Sequence, residues 1–154
     1  MDVCVPSVTK TLRNELVHLV FTGMVCALFY WSFRQVMGTL LVFASAMFLD
    51  ADHLVDYFLY AIRFSANVNI KEFISGAYFK RWQKFVCPLH AWELVIIALI
   101  IWQIYSNIIA LALAIGITTH LVIDYCTNTV NRVAYFFSFR AYHYFHKPAI
   151  APQR

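Results

Sequence analysis

Asp50, Asp52, His53 and Asp56 fall within the stretch MFLDADHLVDYF, residues 47–58. Further along, CPLHAWELV carries His90 and Glu93, and GITTHLVIDYCTN carries His120 and Asp124. Imidazoles and carboxylates together ligate zinc, manganese or iron, and a helical spacing of three or four sets two of them on one face. His120 and Asp124 are four apart; His90 and Glu93, like Asp50 and His53, are three apart. At about 100° per residue, Asp52, His53 and Asp56 share an arc as well. The segment therefore offers more ligands than one ion needs, and some are expected to orient a histidine instead of touching metal. Taken singly, each pair reads more readily as a hydrogen-bonded pair than as a ligand pair, and His18 as a core histidine or an interfacial one bonded to Glu15. The elements that carry them decide the matter.

Those elements belong to a chain of 154 residues, 62% hydrophobic and 13% charged, far from the roughly 45–50% and 25% of soluble domains. The expected fold is an all-α membrane protein, a single integral-membrane domain over 1–154. Four transmembrane helices, at about 16–33, 36–61, 89–105 and 108–125, each come near the roughly 20 apolar residues that cross a bilayer. One helix over residues 94–123 would run to about 45 Å, so a turn is expected at Ser106-Asn107, and Pro88 is placed to open the third helix. Lys10 and Arg13 precede an apolar run with no small-x-small cleavage pattern, which reads as a retained anchor. Cys4, Cys26, Cys87 and Cys126 form no CxxC pair and read as free thiols. Between these spans, Lys10, Arg13, Arg63, Lys71, Lys80, Arg81, Lys84, Arg132, Arg140, Lys147 and Arg154 share one side and Arg34 alone takes the other. That asymmetry puts both termini in the cytoplasm.

On this topology His18, the Asp50 to Asp56 group, His90 with Glu93, and His120 with Asp124 all reach one leaflet. Five of the eight acidic residues gather there with no Lys or Arg inside the motifs. A charge at mid-bilayer costs about 2.5–3.5 kcal/mol, so a compensating charge is required. Two or three divalent ions would supply it, zinc being the expected metal and manganese or iron the alternatives. In the long loop, Ile74, Tyr78, Trp82 and Phe85 form an apolar stripe beside Lys80, Arg81 and Lys84, the pattern of an interfacial amphipathic helix facing anionic lipid or of a solvated basic loop. The C-terminal NRVAYFFSFRAYHYFHK is expected to be a second interfacial helix. His143 and His146 stay open as further ligands there, as does Asp56 in its own segment, and Arg140 is a candidate phosphate clamp or a snorkelling anchor. The basic residues follow topology instead of lining a groove, which excludes nucleic acid as a partner.

LDADHL, LHAWEL and GITTHLVIDYCTN, preceded by one histidine near the first span, resemble the pattern of the YdjM-like family of bacterial inner-membrane proteins labelled metal-dependent hydrolases. That pattern is an early His, a PDxDH segment, a His-containing segment and a closing HxxxD. The likeness runs from His18 to Asp124, with Leu49 in place of the proline and HAWE where many members carry an HR-type motif. The family is in turn similar to zinc-dependent phospholipase C and the S1/P1 nucleases. The resemblance implies an inner-membrane metal-dependent hydrolase with His18, Asp50, Asp52, His53, His90, His120 and Asp124 as metal ligands, to which the spacing from His90 adds Glu93. Asp52, Glu93 and Asp124 would be its catalytic carboxylates, Asp124 bridging ions. A site at the membrane boundary favours an amphiphilic phosphoester such as a phospholipid, with membrane lipid as the surrounding partner. A metal-binding or metal-transporting protein without hydrolysis is the alternative; a di-iron oxygenase is disfavoured by six histidines with no HxxxH pair.

Overall fold

The computed structural model describes residues 8–128 and 130–146, and every regular element among them is helical. Cys4, Lys147 and Arg154 lie outside these residues. Helix α1 (Val8–Phe33) reverses at Arg34, which takes a left-handed φ of 53°, and Gln35 leads into α2 (Val36–Met47). A 3-10 turn, Leu49–Asp52, then opens α3 (His53–Phe64). Short helices α4 (Ile70–Ile74) and α5 (Phe79–Trp82) punctuate the long loop before α6 (Trp92–Tyr105) and α7 (Ile108–Thr127). After a 3-10 turn at Arg132–Tyr135 comes the six-residue α8 (Phe137–Tyr142).

The turn between α6 and α7 falls at Ser106 and Asn107, as the length argument requires. Ser106 takes φ 50°, and Asn107 Oδ1 accepts from the amides of Ile109 and Ala110, satisfying two orphan donors of the new helix. Helix α7 packs against α2, α6 and α1, and α2 also packs on α1. In lipid no hydrophobic drive brings apolar helices together, so small residues that allow close backbone approach carry the contact. Gly116 of α7 shows how close that approach is: a Cβ there would overlap Ser45 Oγ and lie 2.5 Å from the Val42 carbonyl oxygen of α2. Outward-facing Leu28, Trp31, Met37, Ile96, Ile100 and Ile104 leave the flanks apolar.

Two helices, α1 from Arg13 onward and α7, are long and apolar enough to cross a membrane; α2 with residues 49–64 makes a third if that pair, bent by 47°, counts as one span. Of the four expected spans, two are met in this way, or three with the bent pair. The second breaks at Phe48, where the 3-10 turn sends Asp50 toward the histidines of its neighbours and Asp52 toward the turn before α6. The third is short: 14 residues rise only about 21 Å against a core of about 30 Å. Pro88 does not open α6, because Asp52 holds the Leu89 and His90 amides in a turn and the helix starts at Trp92.

The apolar stripe of the long loop divides too. Gly76, with φ +63°, separates α4 from α5; Tyr78 turns inward onto Tyr57 and Tyr60, while Ile74 stays exposed. The C-terminal stretch likewise forms a turn plus α8 rather than one interfacial helix.

Gly116→Ala is expected to lower stability by about 1–3 kcal/mol through overpacking. Gly23→Ala, with nothing within 4 Å of its Cβ, should be neutral or stabilising by up to about 1 kcal/mol. Thermal unfolding in detergent compares the two; equal effects would contradict the tight α2–α7 contact.

Candidate metal centre

α7 presents His120 and Asp124 one turn apart near its C-terminal end. His120 Nδ1 donates to the Ala46 carbonyl at the end of α2, 2.7 Å away. A carbonyl can only accept, so Nδ1 carries a proton, and Nε2 is the nitrogen that points into the bundle. His90, on the turn before α6, is fixed in the same sense. Its Nδ1 donates to Asp52 Oδ2 at 3.1 Å, with Oδ1 at 3.0 Å, and its Nε2 faces His120 Nε2 at 3.2 Å.

Around these two nitrogens stand two carboxylates. Asp50 Oδ1 is 3.2 Å from His90 Nε2 and 3.5 Å from His120 Nε2, and Asp124 Oδ2 is 3.4 Å and 3.5 Å from the same atoms. Four residues from three separate elements thus each offer one ligand atom, all within 4.8 Å of one another. Ligands about 2.0–2.2 Å from one zinc ion stand roughly 3.3–3.6 Å apart at tetrahedral angles, close to the spacings found. Two imidazole nitrogens and two carboxylates turned toward one another make a ligand set that could hold a metal ion.

Each carboxylate has an outer histidine. His18, in the third turn of α1, brings Nε2 to 3.4 Å from Asp124 Oδ1, and its ring lies 4.4 Å from that of His120; its Nδ1 is buried without a hydrogen-bond partner. His53 sets Nε2 3.5 Å from Asp50 Oδ1 and Nδ1 3.2 Å from Cys87 Sγ. Asp124, with one oxygen toward His18 and the other toward His90 and His120, has the disposition of a bridging carboxylate.

Other expected site residues take different places. Asp52 stands behind His90 as the group that orients it, accepting from the Leu89 amide as well. Asp56 is fully buried and binds Trp82 Nε1 and the amides of Val86 and Cys87, so it anchors the segment leading to His90. Glu93 does not join the four-residue centre: its carboxylate accepts from the amides of Phe137 and Ser138 and the Ser138 hydroxyl at the start of α8. One step past the His90 turn, α6 has already rotated it toward the C-terminal segment. Arg140 is neither an exposed clamp nor a snorkelling anchor. It is wholly buried, its Nη2 donates to the His90 carbonyl at 2.9 Å, and its guanidinium faces the Phe85 and Phe137 rings. Burial pulls its pKa below the usual arginine range, and acids around it, Asp52, Glu93 and Asp56 among them, push it back. His143 packs on Phe139 and Tyr142, and His146 pairs its backbone with Lys84; neither is in the centre.

The residue that sequence reasoning passed over is Cys87. It is completely buried, its Sγ 2.9 Å from Asp56 Oδ2 and 3.2 Å from His53 Nδ1. Burial first, then the Asp52 and Asp56 charges, pushes its thiol well above the usual range, so the sulfur keeps a proton to donate. Its only signal in the sequence is its place three residues before His90.

Fold and cluster together define an all-helical protein with two to three helices apolar enough to span a membrane and buried Asp, His and Cys groups able to hold a metal ion. No family model, curated protein or solved structure matches the chain.

Removing the Asp56 carboxylate leaves the Trp82, Val86 and Cys87 donors without an acceptor. Asp56→Ala should destabilise the protein by about 1.5–3 kcal/mol and speed amide exchange at Val86 and Cys87. Unchanged exchange there would show that the carboxylate does not hold the segment.

Proposed function

We propose that the protein is a membrane-embedded metal-dependent hydrolase acting on a phosphoester, most simply a phospholipid, at the cytoplasmic boundary of a bacterial inner membrane. The observation that carries this reading is the convergence of Asp50, His90, His120 and Asp124 at one end of the bundle, with Nε2 of both histidines turned inward because Nδ1 is already engaged. The order of the motifs, similar to that of the YdjM-like hydrolases, supports it. When bound, a divalent ion, zinc in the first instance and manganese or iron otherwise, supplies Lewis acidity toward water and toward a phosphoryl oxygen.

The remaining requirements fall on the chain itself. Asp52 and the Ala46 carbonyl keep the protons of His90 and His120 on Nδ1, so the same nitrogens stay available through turnover. Asp50, the most exposed of the four with 38% of its side chain accessible, marks the open side through which a headgroup would approach. Asp124, at 13%, is the inner carboxylate. Asp124 and His18 extend the ligand set beyond one ion, in keeping with a centre of two or three. On this reading α6 is a fourth, short membrane-embedded helix, and the basic Arg63, Lys71, Lys80, Arg81 and Lys84 put the site and both termini on the cytoplasmic side. A transport site would be expected near mid-bilayer, whereas His18, His120 and Asp124 lie toward one end of their helices, which favours hydrolysis over transport.

The full-length protein, gently extracted and purified, should retain transition metal, and His120→Ala and Asp124→Ala should each remove it together with any phosphodiesterase or phosphatase activity toward phospholipid vesicles. Metal-free protein by elemental analysis would overturn the proposal. Metal retained without hydrolysis of any phosphoester would overturn its enzymatic half.

A further inference from the structure

Cys87, Asp56 and His53 lie beside the four-residue centre without belonging to it. Their ligand atoms fall within 4.8 Å of one another, and both Cys87 and Asp56 are completely buried. We propose that these three residues form a second metal site, distinct from the centre at Asp50, His90, His120 and Asp124, which takes a thiophilic divalent cation such as zinc.

The arrangement of ligand atoms argues for it. His53 Nδ1 lies 3.2 Å from Cys87 Sγ, with its Nε2 toward the Asp50 carboxylate. Asp56 Oδ2 lies 2.9 Å from the same sulfur. The Asp56 carboxylate is wholly buried, and no Lys or Arg nitrogen is bonded to it among the described residues. A small cation among the three would offset its charge. Sulfur, imidazole and carboxylate make a ligand set suited to zinc, with a sulfur–metal distance of about 2.3 Å. Cys87 also groups, separately, with Asp52 and His90.

On binding, the sulfur–hydrogen bond of Cys87 is replaced by a sulfur–metal bond and the proton leaves to solvent; nothing is oxidised or reduced. The site ties residues 82–87 to α3, and through Cys87 it fixes the turn that carries His90. It is a positioning device for the first centre, linked to it by His53 and Asp50.

Cobalt(II) exchanged into the full-length protein tests this, because thiolate ligation gives a near-ultraviolet charge-transfer band that nitrogen and oxygen ligands do not. The wild-type protein should show the band. Cys87→Ser should lose it along with one equivalent of metal, and His120→Ala should lose metal but keep the band. Cobalt bound with no such band overturns this inference and leaves the hydrolase reading intact; a band that survives in Cys87→Ser overturns it as well. Protein that binds no cobalt overturns both. If Cys87→Ser fails to accumulate, the wild-type spectrum alone decides.

Discussion

Two imidazole nitrogens 3.2 Å apart, each belonging to a ring whose other nitrogen already donates a hydrogen bond, impose the constraint on which the rest of this structure depends. Such a pair is repulsive unless a proton or a metal ion lies between its members. The rings cannot relieve the repulsion by changing tautomer alone, because the Ala46 carbonyl and the Asp52 carboxylate are both acceptors and hold the Nδ1 protons outward. Asp50 and Asp124 add negative charge that favours a positive charge between the rings. The elements that set this geometry are the break at Phe48, the turn at 88–91 and the close contact of α2 with α7. Each departs from the regular helix that the local sequence would otherwise favour.

Charge balance extends the constraint outward. Asp52 and Asp56 are buried close by, and Arg140 is the one Lys or Arg buried among the described residues. A divalent ion held at the four-residue centre would offset Asp50 and Asp124, and the guanidinium offsets one more carboxylate. That leaves a single buried charge, which a thiolate at Cys87 would double and a second divalent ion would then cancel. Burying unpaired charge costs several kcal/mol per ion even after relaxation, so this neutrality bears on whether the loop between α3 and α6 can stay folded against the bundle.

Much of this was legible in the residues. HxxxD on α7 needed only helical periodicity to place His120 with Asp124, and the Ser106-Asn107 turn followed from bilayer thickness and the rise of a helix. The excess of ligands in DADHLVD correctly implied that some would orient a histidine, which is what Asp52 does. Asp56, Glu93 and Arg140 were not legible because their partners lie 26 to 50 positions away in sequence, in segments with little periodicity of their own. Pattern arguments reach one turn along a helix and no farther. Leu49, by contrast, has a local explanation after the fact: it is buried with Val95, Ala114 and Leu121, where it joins α2 to α6 and α7.

The same logic accounts for a loop that composition alone presents as a basic, interfacial segment. A carboxylate that accepts from Trp82, Val86 and Cys87 draws the chain inward against the preference of Lys80, Arg81 and Lys84 for water, and the aromatic contacts of Tyr78 with Tyr57 and Tyr60 hold the other flank. Lys80 and Arg81 then stay exposed while Cys87, His90 and Ala91 are buried. His90 is reached only through this segment. Its position is therefore set by Asp56 and Asp52 acting in series along α3, one carboxylate fixing where the chain enters and the next, one helical turn earlier, fixing how the ring is aimed. A histidine on a plain transmembrane helix would need no such support; one carried on a turn cannot keep its aim without it.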